Sequence, residues 1–248
     1  MKLWHKITLA IILLIGLFAM TAPASLITEA LPENSAKLSL SGFQGKAING
    51  SLKQISMNGI TISNVQWDLN VISSLTGTPK ALLTVDDPAI KVQSDLTFKH
   101  DRHWSVANLN GTLMLQKLAT AIPALRQIKP SGTAQLEQLN IALEETAFTA
   151  GNGEIEWQDA ELVLNNYRFD LGTMTGELRL QGDSLLLDYR SDSRLAPTGT
   201  ITLSPAGDYE MLMEIQPSAL PTEVQWVTRM GKETPSGAVA YTMKGRLR

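Results

Sequence analysis

Apolar and polar positions follow two different rules along this chain, and the change comes near residue 28. From Ile7 to Ala22 every residue is uncharged and nearly all are apolar, so no face is left for water, and the run predicts a helix that belongs in lipid. Beyond Pro32 the period drops to two: short segments alternate apolar with polar residues between Gly, Pro, Asn and Asp, as strands and turns do. The expected fold is mainly β. Residues 1–28 form a cytoplasmic tip and a transmembrane helix, and 29–248 form a curled, mostly antiparallel β-sheet domain with bulges and one or two short helices.

Particular segments sharpen this picture. Tyr209, Met211, Met213 and Ile215 fall on one face and Asp208, Glu210, Glu214 and Gln216 on the other, with Leu212 as the exception. Leu178 and Leu180 pass through a Gly182-Asp183 turn into Leu185, Leu187 and Tyr189, which predicts a hairpin. Gly151-Asn152-Gly153 reads as another hairpin turn. The apolar phase slips by one between Ile62 and Val65, and again between Leu136 and Leu139, as bulges would cause. Helical signals are confined to Leu113–Leu125 and Pro221–Met230. No βαβ rhythm appears, which argues against a parallel sheet.

The first segment sets the topology. Continuing the uncharged stretch through Ile27 gives 21 residues, and roughly 20 helical residues cross a bilayer core. Trp4 suits the headgroup interface, and Ile7, Leu13, Leu17 and Phe18 belong to the apolar anchor. Lys2, His5 and Lys6 precede it and Glu29 and Glu33 follow, so the positive-inside rule keeps the N-terminus cytoplasmic. The expectation is a single-pass protein of the cell inner membrane with its C-terminal domain in the periplasm. Two other readings stay open. Ala22-Pro23-Ala24 has the form of a signal-peptide cleavage site, and a buried helix of a cytosolic protein is the third possibility.

Charge and chemistry narrow the function by exclusion. Removing Lys2 and Lys6 from the 21 basic residues leaves 19 against 24 acidic ones, so no basic excess remains for a nucleic acid backbone. The absence of cysteine excludes disulfides, thiolate metal sites and a cysteine nucleophile. No Gly-x-Ser-x-Gly elbow occurs. His100, Asp101 and His103 offer metal-binding groups, but Lys99 and Arg102 repel a cation, and a solvated hairpin tip accounts for the cluster better. Asp86-Asp87 and Glu144-Glu145 pair carboxylates along one strand, where neighbours point to opposite faces and make no catalytic dyad. Asp86-Asp87-Pro88 reads as a turn, and Trp67, Trp104, Trp157 and Trp226 as core anchors before groove residues. No catalytic, metal or cofactor-binding residue is assigned.

One set of short motifs is informative together: Ala22-Pro23-Ala24-Ser25-Leu26, then glycines at Gly42, Gly45 and Gly50, then Gly59 leading through Val65 to Trp67 and Leu69. In this set the chain resembles protein N of the type II secretion system, also called general secretion pathway protein N. Leu75 with Gly77, Pro130-Ser131-Gly132, Gly231 and Gly245-Arg246-Leu247 agree in order, while Lys46-Ala47-Ile48-Asn49 stands where that family often has Thr-x-Trp. The resemblance implies an accessory inner-membrane component of a Gram-negative export machinery, without catalytic residues, whose partners are other secretion components. Gly42, Gly45, Gly50, Gly59 and Trp67 would then be structural, the glycines admitting close backbone approach that Trp67 fills. Ser131-Gly132 to Trp157 repeats the order of Ser41-Gly42 to Trp67, which either a duplication or ordinary strand grammar explains. Two alternatives stand beside secretion: an AsmA-like envelope protein that binds or transfers lipid in a β-groove, and an envelope enzyme for which no site is visible.

Overall fold

The computed structural model describes residues 23–24, 38–57, 60–99, 103–121, 128–164, 167–220, 225, 228–229 and 231–246. The strands are β1 (Leu38–Gly45), β2 (Asn49–Met57), β3 (Ile60–Asn70), β4 (Lys80–Asp87), β5 (Ile90–Lys99), β6 (His103–Met114) and β7 (Ser131–Glu144). They continue as β8 (Ala147–Leu164), β9 (Tyr167–Gln181), β10 (Ser184–Ser191), β11 (Thr198–Leu203), β12 (Asp208–Ile215), β13 (Lys232–Glu233) and β14 (Val239–Arg246). All lie in one antiparallel sheet in chain order, except that β14 pairs with β12 and carries β13 outside it. The sheet does not close: β1 stands at one edge and the β14–β13 pair at the other. Two short helices, α1 (Val71–Leu75) and α2 (Leu115–Ala121), sit in connections. Among the described residues no helix is long and apolar enough to cross a membrane.

A sheet with one apolar face and no second layer has to bury that face by bending. The first bend crosses β1, β2 and β3 at one level. Leu40 pairs with Ile55 and Ile55 with Ile62, while Phe43 pairs with Leu52 and Leu52 with Val65. Both sets belong to one core cluster with Val85 and Ile90, although each strand changes its odd–even phase between them. Register is kept across the slip, so no residue is inserted between β2 and β3 as a bulge would require. Instead Gly42 (φ 74°) and Asn64 (φ 52°) adopt the left-handed conformation on either side of Lys53. A Cβ on Gly42 would lie 2.5 Å from the Lys53 Cβ, which is why this position takes glycine.

The second bend, across β5 to β8, does contain register shifts, at Gln93/Asp95, Val106/Leu109 and Glu137/Asn140. Asn108 (φ 52°) and Gln138 (φ 48°) mark it. The main core follows, with Leu136, Leu139, Phe148, Leu178 and Leu185 buried together, and Val92 and Leu113 pack against both clusters so that the apolar face is continuous.

The predicted hairpin is present: Leu180 pairs with Leu185 and Leu178 with Leu187, and positive φ at Gly182 alone of the two turn residues fits a type II′ turn. In β12, Tyr209, Met211, Met213 and Ile215 take the sheltered positions and Leu212 the exposed ones. Besides the bulge at Ile62–Val65, two expectations are corrected. Gly151-Asn152-Gly153 is not a turn but the middle of β8, where Leu185 and Leu139 press against the glycine positions and leave no room for a side chain. Leu113 is not helical: it pairs with Ile90 and Ala134 in β6, and the helix begins at Leu115. Most of Pro221–Met230 lies outside the described residues.

Candidate interaction surfaces

The glycine and tryptophan motif builds the β1–β2 end of the sheet. Gly45 (φ 80°) opens the hairpin turn and pairs with Gly50, while Lys46 N–H donates to the Asn49 carbonyl at 2.9 Å. Gly50 pairs with Trp67 on β3, and a Cβ there would lie 2.6 Å from the indole and 2.7 Å from the Lys46 carbonyl. The indole therefore lies across bare backbone, and its Nε1–H donates to the Ala47 carbonyl at 2.9 Å. Trp157 repeats the device, donating to the Ser131 carbonyl at 2.8 Å beside Gly132. Tyr189 opposite Gly199 and Tyr209 opposite Gly245 extend it along the sheet. Gly59 lies outside the described residues, as do Trp4, Ile7, Leu13, Leu17 and Phe18.

Groups that suggested chemistry resolve into supports. Asp87 is 4% exposed and ends β4. Its Oδ2 accepts from Ser63 N–H (2.9 Å) and Ser63 Oγ (2.7 Å), and its Oδ1 from Ala89 N–H (2.9 Å) and Lys117 Nζ (2.6 Å). Burial alone would raise this carboxyl, but the Lys117 ammonium, the Ser63 hydroxyl and the two amides outweigh it and hold it well below the usual carboxylate range. The turn itself is Pro88-Ala89, between Asp87 and its partner Ile90, and Lys117 ties α2 to it. Glu145 (φ 53°) is a turn residue between Glu144 and its partner Ala147. His103 pairs with Lys99 at the base of the β5–β6 hairpin, whose tip lies outside the described residues. Trp104 and Trp157 are half-buried. Among the described residues no set of three His, Cys, Asp or Glu side chains is arranged to hold a metal. Burial pushes the Tyr189 phenol upward and its hydroxyl donates to the Leu212 carbonyl at 3.2 Å, a structural bond.

Three surfaces remain that reading along single strands did not reveal. One is the outer edge of β1, whose strand partner among the described residues is β2 and whose last carbonyl, that of Gly45, accepts from Ala24 N–H. A second is a row of carboxylates running straight across four strands, because Glu137 pairs with Glu154, Glu154 with Glu177 and Glu177 with Asp188. Arg179 Nη2, 2.5 Å from Asp188, answers one end of it. The third is an open cavity of about 280 Å³ near the far edge, lined by Leu162, Phe169, Leu171, Met211, Met213 and Tyr241 among others and almost wholly apolar.

No curated protein and no solved structure matches the chain. A family model does: that of the type II secretion system (T2SS), protein N, over residues 36–242. The match starts just before β1 and ends within β14, so it takes in the glycine and tryptophan device, both bends and nearly the whole sheet. The resemblance carried by Gly42, Gly45, Gly50 and Trp67 thus extends over the whole meander, and the chain belongs to the type II secretion system protein N family.

Proposed function

We propose that this protein is an accessory inner-membrane component of the type II secretion pathway, holding its sheet in the periplasm and acting on other secretion components by contact without catalysis. The observation that carries this reading is the open β1 edge. Among the described residues no strand lies along its outer side from Leu38 to Gln44, which suits that stretch to strand addition, and the Gly50–Trp67 pair and the Lys46–Asn49 turn brace its Gly45 end. The acidic row on β7 to β10 offers a second contact, suited to a basic partner.

Retention of the leader is supported by Pro23 and Ala24. Pro23 bridges Lys46, and Ala24 is 2% exposed with its N–H donating to the Gly45 carbonyl at 3.3 Å. Cleavage after Ala24 would remove two residues that the folded domain uses. The lipid-binding alternative has its own observation, the apolar cavity beside Phe169 and Tyr241, whose size suits part of an acyl chain.

Deletion of the gene tests the reading. The secretion role predicts that substrates of the pathway, folded in the periplasm, accumulate there and return to the medium when the full chain is restored. Undiminished export with altered envelope lipid would favour the second reading instead.

A further inference from the structure

The apolar rows that cross the first bend run out at β1. Phe43 continues the row of Val65 and Leu52, which are 6% and 3% exposed, and Leu40 continues the row of Ile62 and Ile55. Phe43 and Leu40 are themselves only half-buried, and among the described residues no strand stands beyond them. Natural sheet edges are blunted by charge, proline or a bulge. The opposite edge follows that rule, with Lys244 and Arg246 on β14 and Lys232 and Glu233 on β13. β1 has no charged residue, no proline and no register shift. Nothing in its own sequence keeps a further strand away.

The bend also dictates what a neighbouring strand has to look like. Each of its strands carries two apolar core residues three positions apart: Leu40 and Phe43, Leu52 and Ile55, Ile62 and Val65. A plain alternating strand, with apolar residues two or four apart, would turn one of them to the wrong face. Left-handed residues alternate across the bend, Gly42 on β1 and Asn64 on β3 with none on β2. A strand that stands to β1 as β2 does therefore needs no glycine. Charge adds one more requirement. Lys53 is the single charged residue of β1 and β2, and its stem lies over Gly42, with Cδ 3.4 Å from the place a Cβ would take. The bare backbone there leaves its ammonium a path toward the edge. Among the described residues no carboxylate pairs with Lys53: Asp68, the one acidic residue of β3, stands opposite Asn49 near the turn, and Asp86 on β4 stands opposite Lys91.

We propose that the β1 edge takes an antiparallel segment of another protein that reads apolar, acidic, polar, apolar from its N- to its C-terminal end. The first apolar residue stands opposite Phe43, the acidic one opposite Gly42 where it meets Lys53, and the last opposite Leu40. Such a segment is the Leu52-Lys53-Gln54-Ile55 stretch of β2 with its charge reversed. A second copy of β1 has the same spacing, but it would bring the Lys53 of each protomer toward the other and set left-handed glycines on adjoining strands. The proposal rests on the reading of β1 as a docking edge and adds the pattern of what docks there.

Short fluorescent peptides titrated against the purified full chain test it. One copies β2 from Asn49 to Met57 with glutamate in the place of Lys53, a second keeps the lysine, and a third keeps the glutamate but lacks the Gln54 equivalent. Fluorescence anisotropy should show the glutamate peptide binding about threefold tighter than the lysine peptide. It should also bind about tenfold tighter than the shortened one, whose second apolar residue faces the wrong way. Lys53→Glu in the protein, at an exposed position and with folding checked by circular dichroism, should reverse the order of the first two peptides. Equal affinities for all three, an order that Lys53→Glu leaves unchanged, or no binding by any of them overturns the pattern. So does a photoreactive residue at Ser41 that joins only to this chain's own residues or to a second copy. The docking reading fails separately, if that residue gives no adduct with another protein in secreting cells.

Discussion

Asn110 and Asn140 answer each other across β6 and β7. The Asn110 Oδ1 accepts from Gln138 N–H at 2.9 Å, and the Asn140 Oδ1 accepts from Asn108 N–H at 2.9 Å. Each side-chain amide nitrogen also donates within its own strand, Asn110 to the Asn108 carbonyl and Asn140 to the Gln138 carbonyl, both at 2.7 Å. Two residues in left-handed conformations are thereby held by a reciprocal pair of side chains, at the level where the ladder shifts register. Side-chain amides supply there the hydrogen bonds that the interrupted ladder cannot.

Replacing one member of this pair should loosen the bend. Asn140→Ala and Asn110→Ala are each expected to lower stability by about 1 kcal/mol, the usual net worth of such bonds. The double variant should cost less than twice that, since the two clamps hold one kink. Urea denaturation of the three variants checks this.

Gly50→Ala is expected to destabilise by about 1–3 kcal/mol, because its Cβ has to displace Trp67 or the backbone of the β1–β2 turn. Trp67→Phe relieves that crowding but gives up the bond to the Ala47 carbonyl, at a cost of about 1 kcal/mol. Combining the two should recover part of the loss caused by Gly50→Ala. Thermal melts followed by circular dichroism decide whether it does.

Asp87 makes the stability of the β4–β5 end depend on pH. Its folded-state pKa is depressed, so its contribution is present above the unfolded value near 4 and fades as pH falls toward the folded one. Asp87→Asn should cost about 2 kcal/mol at pH 7, since the charge-assisted bonds that the Asp87 carboxylate accepts from Lys117 and Ser63 are weakened or lost. The gap between the two proteins should be constant from pH 6 to 8 and narrow steadily below pH 4. Denaturation midpoints across that range measure it.

The carboxylate row carries a standing repulsion, because like charges directly opposite on neighbouring strands oppose pairing. Glu154→Gln, at its centre, is expected to raise stability by about 0.5 kcal/mol at low salt, with the gain shrinking at 1 M salt. Conversely, a basic partner seated on the row would make this substitution weaken the complex while it strengthens the fold.

How far these features can be read in advance follows from what each depends on. The Leu178 to Tyr189 hairpin and the alternating face of β12 are local patterns, and both appear where the period of two predicts them. The slip from Ile62 to Val65 is legible too, but its cause is not. A bulge and a shared left-handed kink leave the same trace on one strand, and only the match with Gly42 and Lys53 on the neighbours tells them apart. Gly151 and Gly153 mislead because glycine marks both turns and close approach, and here Leu139 and Leu185 come from strands distant in sequence. Gly42, Gly45, Gly50 and Trp67 stand out in the sequence as a spaced pattern, whereas the row from Glu137 to Asp188 exists only once four strands are set in register.

The central claim is that the β1 edge meets another secretion component. A photoreactive residue placed at Ser39 or Ser41, on that edge, in cells actively secreting a type II substrate is the most direct measurement. The account predicts a defined protein adduct from β1 that is lost when the partner component is absent. Adducts that form only from positions beside Phe169 and Tyr241, and that carry lipid in place of protein, would contradict it.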